Sequence, residues 1–202
     1  MSTNLAPKLF LHQESTIEHD FAVSARTSIA RKTASAPLKQ LVQEGRISKG
    51  SCLNFGKGRC DHDSSLLREI AGHCQDYDYT YCRSDIIGKH FKTCFAGYVQ
   101  NTLPPQSRNV VWSQLASVTS EDGVCYVACR SDKDRGVKGQ PFEDGFITSI
   151  HTFQRTYKAG ELLAEAKQHF AYCRELKASQ SGYRIVECRH LPFGDENVLQ
   201  LF

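Results

Sequence analysis

The chain has 202 residues, 40% of them hydrophobic and 23% charged, the make-up of one soluble globular domain large enough to bury a core. No apolar run approaches the roughly 18–20 residues that span a bilayer, and residues 1–10 lack the charged-then-apolar plan of a secretory leader, so no membrane partner is expected. Nine irregularly spaced cysteines, an odd number, argue against a disulfide framework and for a reducing cytoplasm, and a net charge of +3 is too small by itself to name a partner.

Residues 1–23 show no clear period and read as a lead-in to a domain over 24–190, with 191–202 as a tail. The first helix signal starts at Ser35, a capping residue, with Pro37 in the first turn, Leu38, Leu41 and Val42 on one face, and Gly45 at the end. A short apolar strand over 51–55 runs into a loop holding Gly56 and Gly58, and a helix from about Ser64 carries Leu66, Leu67 and Ile70 on one side. A poorly marked strand is placed at 75–79, and a clearer one at 91–99 with Cys94, Phe95 and Ala96 at its heart. Pro104 and Pro105 stop that strand and start a helix, which is expected to bury Val110, Val111, Leu115 and Val118. Gly123 opens the continuous apolar run 124–129, as expected of a parallel strand covered on both faces. A glycine-rich connection over 131–145 leads into 148–156, then a helix with Leu162, Leu163, Ala166 and Phe170. Two strands, 173–178 and 183–188, close the chain as a hairpin around 179–182. This order predicts an α/β fold, a doubly wound, mostly parallel sheet with an antiparallel strand at its end and helices on both faces.

Such a sheet binds ligands beyond the carboxyl ends of its strands, where strand order reverses. That rule brings 54–61, Asp78 with Tyr79, 97–101, and Arg130 with Ser131 around one crevice. Asp78 stands about twenty residues past Gly58, where an acid meets the ribose of a bound nucleoside; the alternative is a loop carboxylate that caps a turn. A phosphate-binding loop requires GxxxxGK and Ser or Thr, which Gly56-Lys57-Gly58-Arg59-Cys60 does not supply. Asp61 replaces the third glycine of a dinucleotide fingerprint and would repel a pyrophosphate, so a nicotinamide-dependent oxidoreductase is the lesser alternative. A cationic cofactor without phosphates suits the loop better. Cys60 with His62, and His73 with Cys74, complete no four-ligand set, so no metal is expected. Cys125 and Cys129 share one strand face too far apart to share an ion and read as core. Residues 24–49 set Arg26, Arg31, Lys32, Lys39, Arg46 and Lys49 against the single acid Glu44, which is either a solvated face or a phosphate-contacting rim.

Five segments, in order, carry a more specific signal: TSIARKTASAP (27–37), CLNFGKGRCD (52–61), YDYTY (77–81), GYVQNTLPP (97–105) and DGFITSIHTFQ (144–154). With these the chain resembles the class I S-adenosylmethionine-dependent methyltransferases, in particular a prokaryotic and phage branch, over about 26–190. The resemblance implies a seven-stranded sheet with a reversed last strand, and methyl transfer from S-adenosylmethionine to an unidentified acceptor. It implies that Asn54, Phe55, Gly56 and Gly58 line the methionine portion of the cofactor. Asp78 would hold the ribose, Tyr79 would pack near the adenine, Asp85 and Ile86 would meet the adenine edge, and Gly97 and Tyr98 would border the methyl group. Asn101 would open the substrate side and is the candidate for catalysis. Arg26, Arg31 and Lys32 would face an anionic acceptor, with nucleic acid favoured over a metabolite. The family usually has an acid at Asn54 and often a glycine at Cys60, and these departures keep open a non-catalytic relative that binds nucleic acid or a protein. Thr102 and Leu103 separate Asn101 from Pro104-Pro105, so the Pro-Pro motif of DNA-base N-methylation is not present.

Overall fold

The computed structural model describes residues 17–134 and 136–194. Its centre is a six-stranded sheet in the order β2-β1-β3-β4-β9-β8, built from β1 (Gly50–Phe55), β2 (Gly72–Tyr77), β3 (Phe91–Gly97), β4 (Thr119–Arg130), β8 (Tyr172–Leu176) and β9 (Tyr183–Arg189). The pairs β1–β2, β1–β3 and β3–β4 are parallel, and β9 runs antiparallel to both β4 and β8. The chain steps from β1 outward to β2 and then crosses to the other side of β1 for β3. The order therefore reverses between the carboxyl ends of β1 and β3, and a crevice opens there.

Strand alternation sorts the core into two layers. Leu53 and Phe55, with Cys125, Val127 and Cys129, face α1 (Ile17–Ser24), α4 (Pro105–Val118) and α5 (Glu161–Ala166) through Phe21, Trp112, Leu115 and Leu162. Cys52, Phe95, Tyr126 and Ala128 face α2 (Ala36–Gln43) and α3 (His62–Ala71) through Leu38, Leu41 and Leu67. All nine cysteines are free, and burial raises the Cys94 thiol to about 12 and the Cys52 thiol to about 11, so both pack as small hydrophobes. No helix among the described residues is long and apolar enough to cross a membrane.

Several expectations change. Among the described residues the sheet has six strands, not seven: residues 78–90 turn at a bridge between Asp78 and Cys82, then tuck Ile86 into the core, so they add no edge strand beside β2. Part of the expected lead-in is α1, whose Phe21 is buried; residues 1–16, and 195–202 of the expected tail, lie outside the described residues. In α4 the buried set is Ser107, Arg108, Val111, Trp112, Leu115 and Val118, a helical stripe that leaves Val110 exposed. Residues 140–154 form a small meander, β5 (Gln140–Phe142), β6 (Gly145–Ile147) and β7 (Phe153–Gln154). An ion-pair network fastens it: Arg108 and Arg155 both bind Asp144 and Glu165, and Trp112 Nε1 donates to Glu165 at 3.1 Å.

The reversed strand carries the most heavily paired buried charge. Glu187 is fully buried and accepts from Arg46 at 3.2 Å and from Arg174 and Arg189 at 2.9 Å each. The arginines reach water, so they re-solvate in part when the carboxylate is lost. Glu187→Ala is expected to reduce the unfolding free energy by about 1–3 kcal/mol in urea denaturation. An unchanged urea midpoint would show that the network contributes nothing.

Candidate active site

The turn after β1 is made by two glycines in the left-handed region, Gly56 at φ +70° and Gly58 at φ +66°. A Cβ on Gly56 would lie 2.2 Å from Val99 Cγ2, so the absent side chain lets β1 close against the chain leaving β3. Every backbone N–H of this turn is already committed. Gly56 and Lys57 donate to Tyr77 O at 2.7 and 3.2 Å, Gly58 to Asp78 Oδ2 at 2.9 Å, and Arg59 to Ser28 Oγ at 3.1 Å. None remains to cradle a phosphate.

Asp78, 4% exposed, directly follows β2 and caps a turn, one of the two readings the sequence allowed. Its Oδ1 caps the following turn, accepting from Thr80 N at 2.8 Å and Tyr81 N at 3.0 Å, while Oδ2 holds Gly58. A carboxylate offers about four acceptor positions, so one is left for a ligand hydroxyl. Across the crevice, Gly97 ends β3 and Tyr98 stands at φ +63°, held by its N–H donating to Ala128 O at 2.7 Å. Burial raises the Tyr98 phenol to about 12, although Arg31 and Arg130 pull the other way, so it is protonated at neutral pH.

The segment after α1 covers the turn. Ser28 receives Arg59 N–H, Cys60 Sγ accepts from Arg31 N at 3.0 Å and donates to Ile29 O at 3.3 Å, and Tyr81 Oη donates to Ala25 O at 3.1 Å. Deeper in, Asp63 in the first turn of α3 accepts from Ser35 N at 2.6 Å and from Arg31 Nη2 at 3.2 Å. Cys60, where the resemblance leads one to expect glycine, is thus a latch for this segment. The space enclosed is a cleft of about 410 Å³, within the roughly 300–1,000 Å³ of small-molecule sites.

Of the residues singled out by sequence, Arg31, Gly56, Gly58, Cys60, Asp78, Gly97, Tyr98, Asn101 and Arg130 line this cleft. Asn101 is 1% exposed; its Oδ1 accepts from Arg130 N at 3.4 Å and its Nδ2 has no partner. The others lie elsewhere. Phe55 is core. Asn54 turns away and donates through Nδ2 to Ser64 Oγ at 3.0 Å, and Ser64 donates to Asp76. Tyr79 packs on Phe21 with ring centroids 4.6 Å apart and accepts from Gln114. Asp85 caps Ile87 N at 3.1 Å and Ile86 is core, because the segment between β2 and β3 forms no strand that carries them to the cleft. Arg26 and Lys32 are exposed and do not line the cleft, so the three-residue basic rim is not assembled. Sequence reasoning missed Ser28, Tyr81, Thr148 and Gln154 as lining residues; each lies inside one of the five segments, which was the available signal.

Among the described residues no cluster suited to a metal ion forms. Neither a protein-family model nor a curated protein sequence matches the chain. Solved structures do match in fold. The complex of DhpI with SAM and HEP superposes with a TM-score of 0.61 at 13% identity, over 89% of this chain and 100% of that one. The 1,6-didemethyltoxoflavin-N1-methyltransferase of Burkholderia thailandensis, bound to 1,6-didemethyltoxoflavin and S-adenosylhomocysteine, gives 0.63 at 14% identity, over 86% of each chain. An S-adenosylmethionine-dependent methyltransferase from Mesorhizobium loti gives 0.53 at 10% identity, over 77% of this chain and 98% of that one. The fold is therefore the Rossmann-like fold shared with these methyltransferases.

Two substitutions test this geometry. Gly56→Ala is expected to cost about 1–2 kcal/mol for the left-handed backbone, plus the clash with Val99, and Val99→Ala added to it should relieve only the second part. Full rescue in the thermal melt would mean that the backbone is not strained there. Asn54→Asp sets a second carboxylate beside the Ser64–Asp76 pair, so it should lower the melting temperature. A stabilised variant would place Asn54 differently.

Proposed function

We propose that the cleft binds S-adenosylmethionine and that the protein transfers its methyl group to an acceptor held beside Asn101. The observation that carries this reading is the meeting of the Gly56–Gly58 turn, Asp78 and Gly97–Tyr98 in one cleft at the reversal of strand order. The fold likeness to structures solved with S-adenosylmethionine or S-adenosylhomocysteine bound supports the same cofactor here.

The residues fit that cofactor. A turn with no spare N–H suits a ligand without phosphates, and the remaining acceptor position of Asp78 suits one ribose hydroxyl. Lys57, within the turn, is ion-paired with Asp61 at 2.5 Å, which reduces its repulsion of a cationic ligand. Bound there, S-adenosylmethionine supplies a methyl group activated by its sulfonium. The chain's own part is alignment and exclusion of water: Tyr98 and Val99 wall one side, and the segment Ala25–Arg31 covers the other.

S-adenosylhomocysteine is expected to raise the melting temperature, by the equivalent of about 2.7 kcal/mol at a hundredfold excess over its Kd, while NAD gives no shift. Asp78→Ala should lower the ligand-free melting temperature, since three N–H groups lose their acceptor, and should also remove most of the ligand increment. No shift of the wild-type protein at millimolar S-adenosylhomocysteine would instead favour the non-catalytic relative.

A further inference from the structure

The polar groups of the cleft are unbalanced. Asn101 Nδ2 is buried without a partner, and its orientation is set because Oδ1 already takes the Arg130 N–H. Arg31 Nε is likewise buried and unpartnered, with only Nη2 spent on Asp63. Arg130 gives one guanidinium N–H to Asp134 at 2.6 Å, of the five it carries. Arg31, Asn101 and Arg130 all line the cleft, and both arginines act on the Tyr98 phenol. A buried unpaired donor costs about 1–3 kcal/mol, so this arrangement calls for an acceptor-rich ligand.

Bases are missing on the same wall. No histidine is among the described lining residues. Both lining carboxylates are engaged, Asp78 by three N–H groups and Asp134 by Arg130 and by Gly136 N at 2.9 Å. The Tyr81 hydroxyl donates to Ala25 O, and the Cys60 thiol to Ile29 O. Among the described residues, nothing is placed to take a proton from an alcohol or an ammonium group.

We infer that the methyl acceptor is a small oxyanion, a carboxylate or a phosphate-type group, seated by Asn101 Nδ2, Arg31 and Arg130 and methylated on oxygen without a base. The inference rests on the reading of this cleft as a methyl-transfer site. The acceptor oxygen supplies its own lone pair and forms the new O–CH3 bond as the CH3–S bond breaks. The electron pair of that bond stays on sulfur, the opposite charges cancel, and no proton moves. Cancelling charge is favoured once bound ligands have displaced water from the cleft. An amine acceptor would need the reverse wall, one of lone pairs to receive N–H groups.

The test is calorimetric titration of the full chain with inorganic phosphate, acetate and ethylammonium, each with and without saturating S-adenosylhomocysteine. Phosphate or acetate should bind, and whichever binds tighter names the type of oxyanion; ethylammonium should not bind. Arg130→Gln and Asn101→Ala, made separately so that one misfolded variant does not end the test, should each weaken the anion at least tenfold. S-adenosylhomocysteine binding to the wild type reports independently on the cofactor reading, so either claim fails alone. The inference is overturned if neither anion binds the wild type, or if both variants bind it unchanged. It is also overturned if a single-stranded DNA or RNA oligonucleotide binds with a salt dependence that ignores both substitutions while the small anions do not bind.

Discussion

The carboxylate of Asp78 is the interaction on which the cleft depends. It joins the Gly58 N–H of one strand end to the Thr80 and Tyr81 N–H groups of the next, across two parallel strands whose loops otherwise leave the sheet separately. Hydrogen bonds to a charged acceptor contribute about 1.5–3 kcal/mol each, and these three share one acceptor, so the turn is fixed before any ligand arrives. A preformed floor avoids an ordering cost on binding. The same saturation limits the chemistry, because a carboxylate with three of its positions filled can align a hydroxyl but is poorly placed to take a proton.

A second constraint is how the cleft is covered. The segment Ala25–Arg31 has no strand pairing and is held by Ser28 on Arg59 N–H, Cys60 on Arg31 N–H, and Asp63 on Arg31 and Ser35. These side-chain contacts are weaker and more local than a sheet ladder, so the segment is the part of the site best able to open while the floor stays fixed. Opposite it, the meander β5–β7 is anchored through Asp144 to Arg108 and Arg155, and so to the helices behind the sheet. The glycine turn, its covering segment and the meander are thus held by different interactions, so one side of the cleft can differ without disturbing the others.

Much of this was legible in the sequence. The continuous apolar run 124–129, the glycine turn and the closing hairpin each have one cheap physical solution, and the structure adopts them. Asp78 was reachable from its spacing after Gly58. The misplaced residues fail for identifiable reasons. Asn54 shares a strand face with Cys52, which packs towards α2 and α3, so alternation alone would have turned it away from the cleft. Tyr79 and Tyr81 differ by two positions in a turn rather than a strand, where no period tells which one reaches the ligand. The helix α1 buries only Phe21 and so has no stripe to read. The meander is fixed by charges far apart in sequence, Arg108 with Asp144 and Glu165, which no local pattern reveals.

The central claim is that one ligand contacts the glycine turn, the Asp78 turn and the Gly97–Tyr98 corner together, beneath the covering segment. Hydrogen–deuterium exchange of the full chain with and without S-adenosylhomocysteine tests it most directly. The account predicts slower exchange confined to 25–31, 56–60, 78–82 and 97–101, with the hairpin β8–β9 unchanged. Binding that left these four segments unprotected, or protected only one of them, would contradict it.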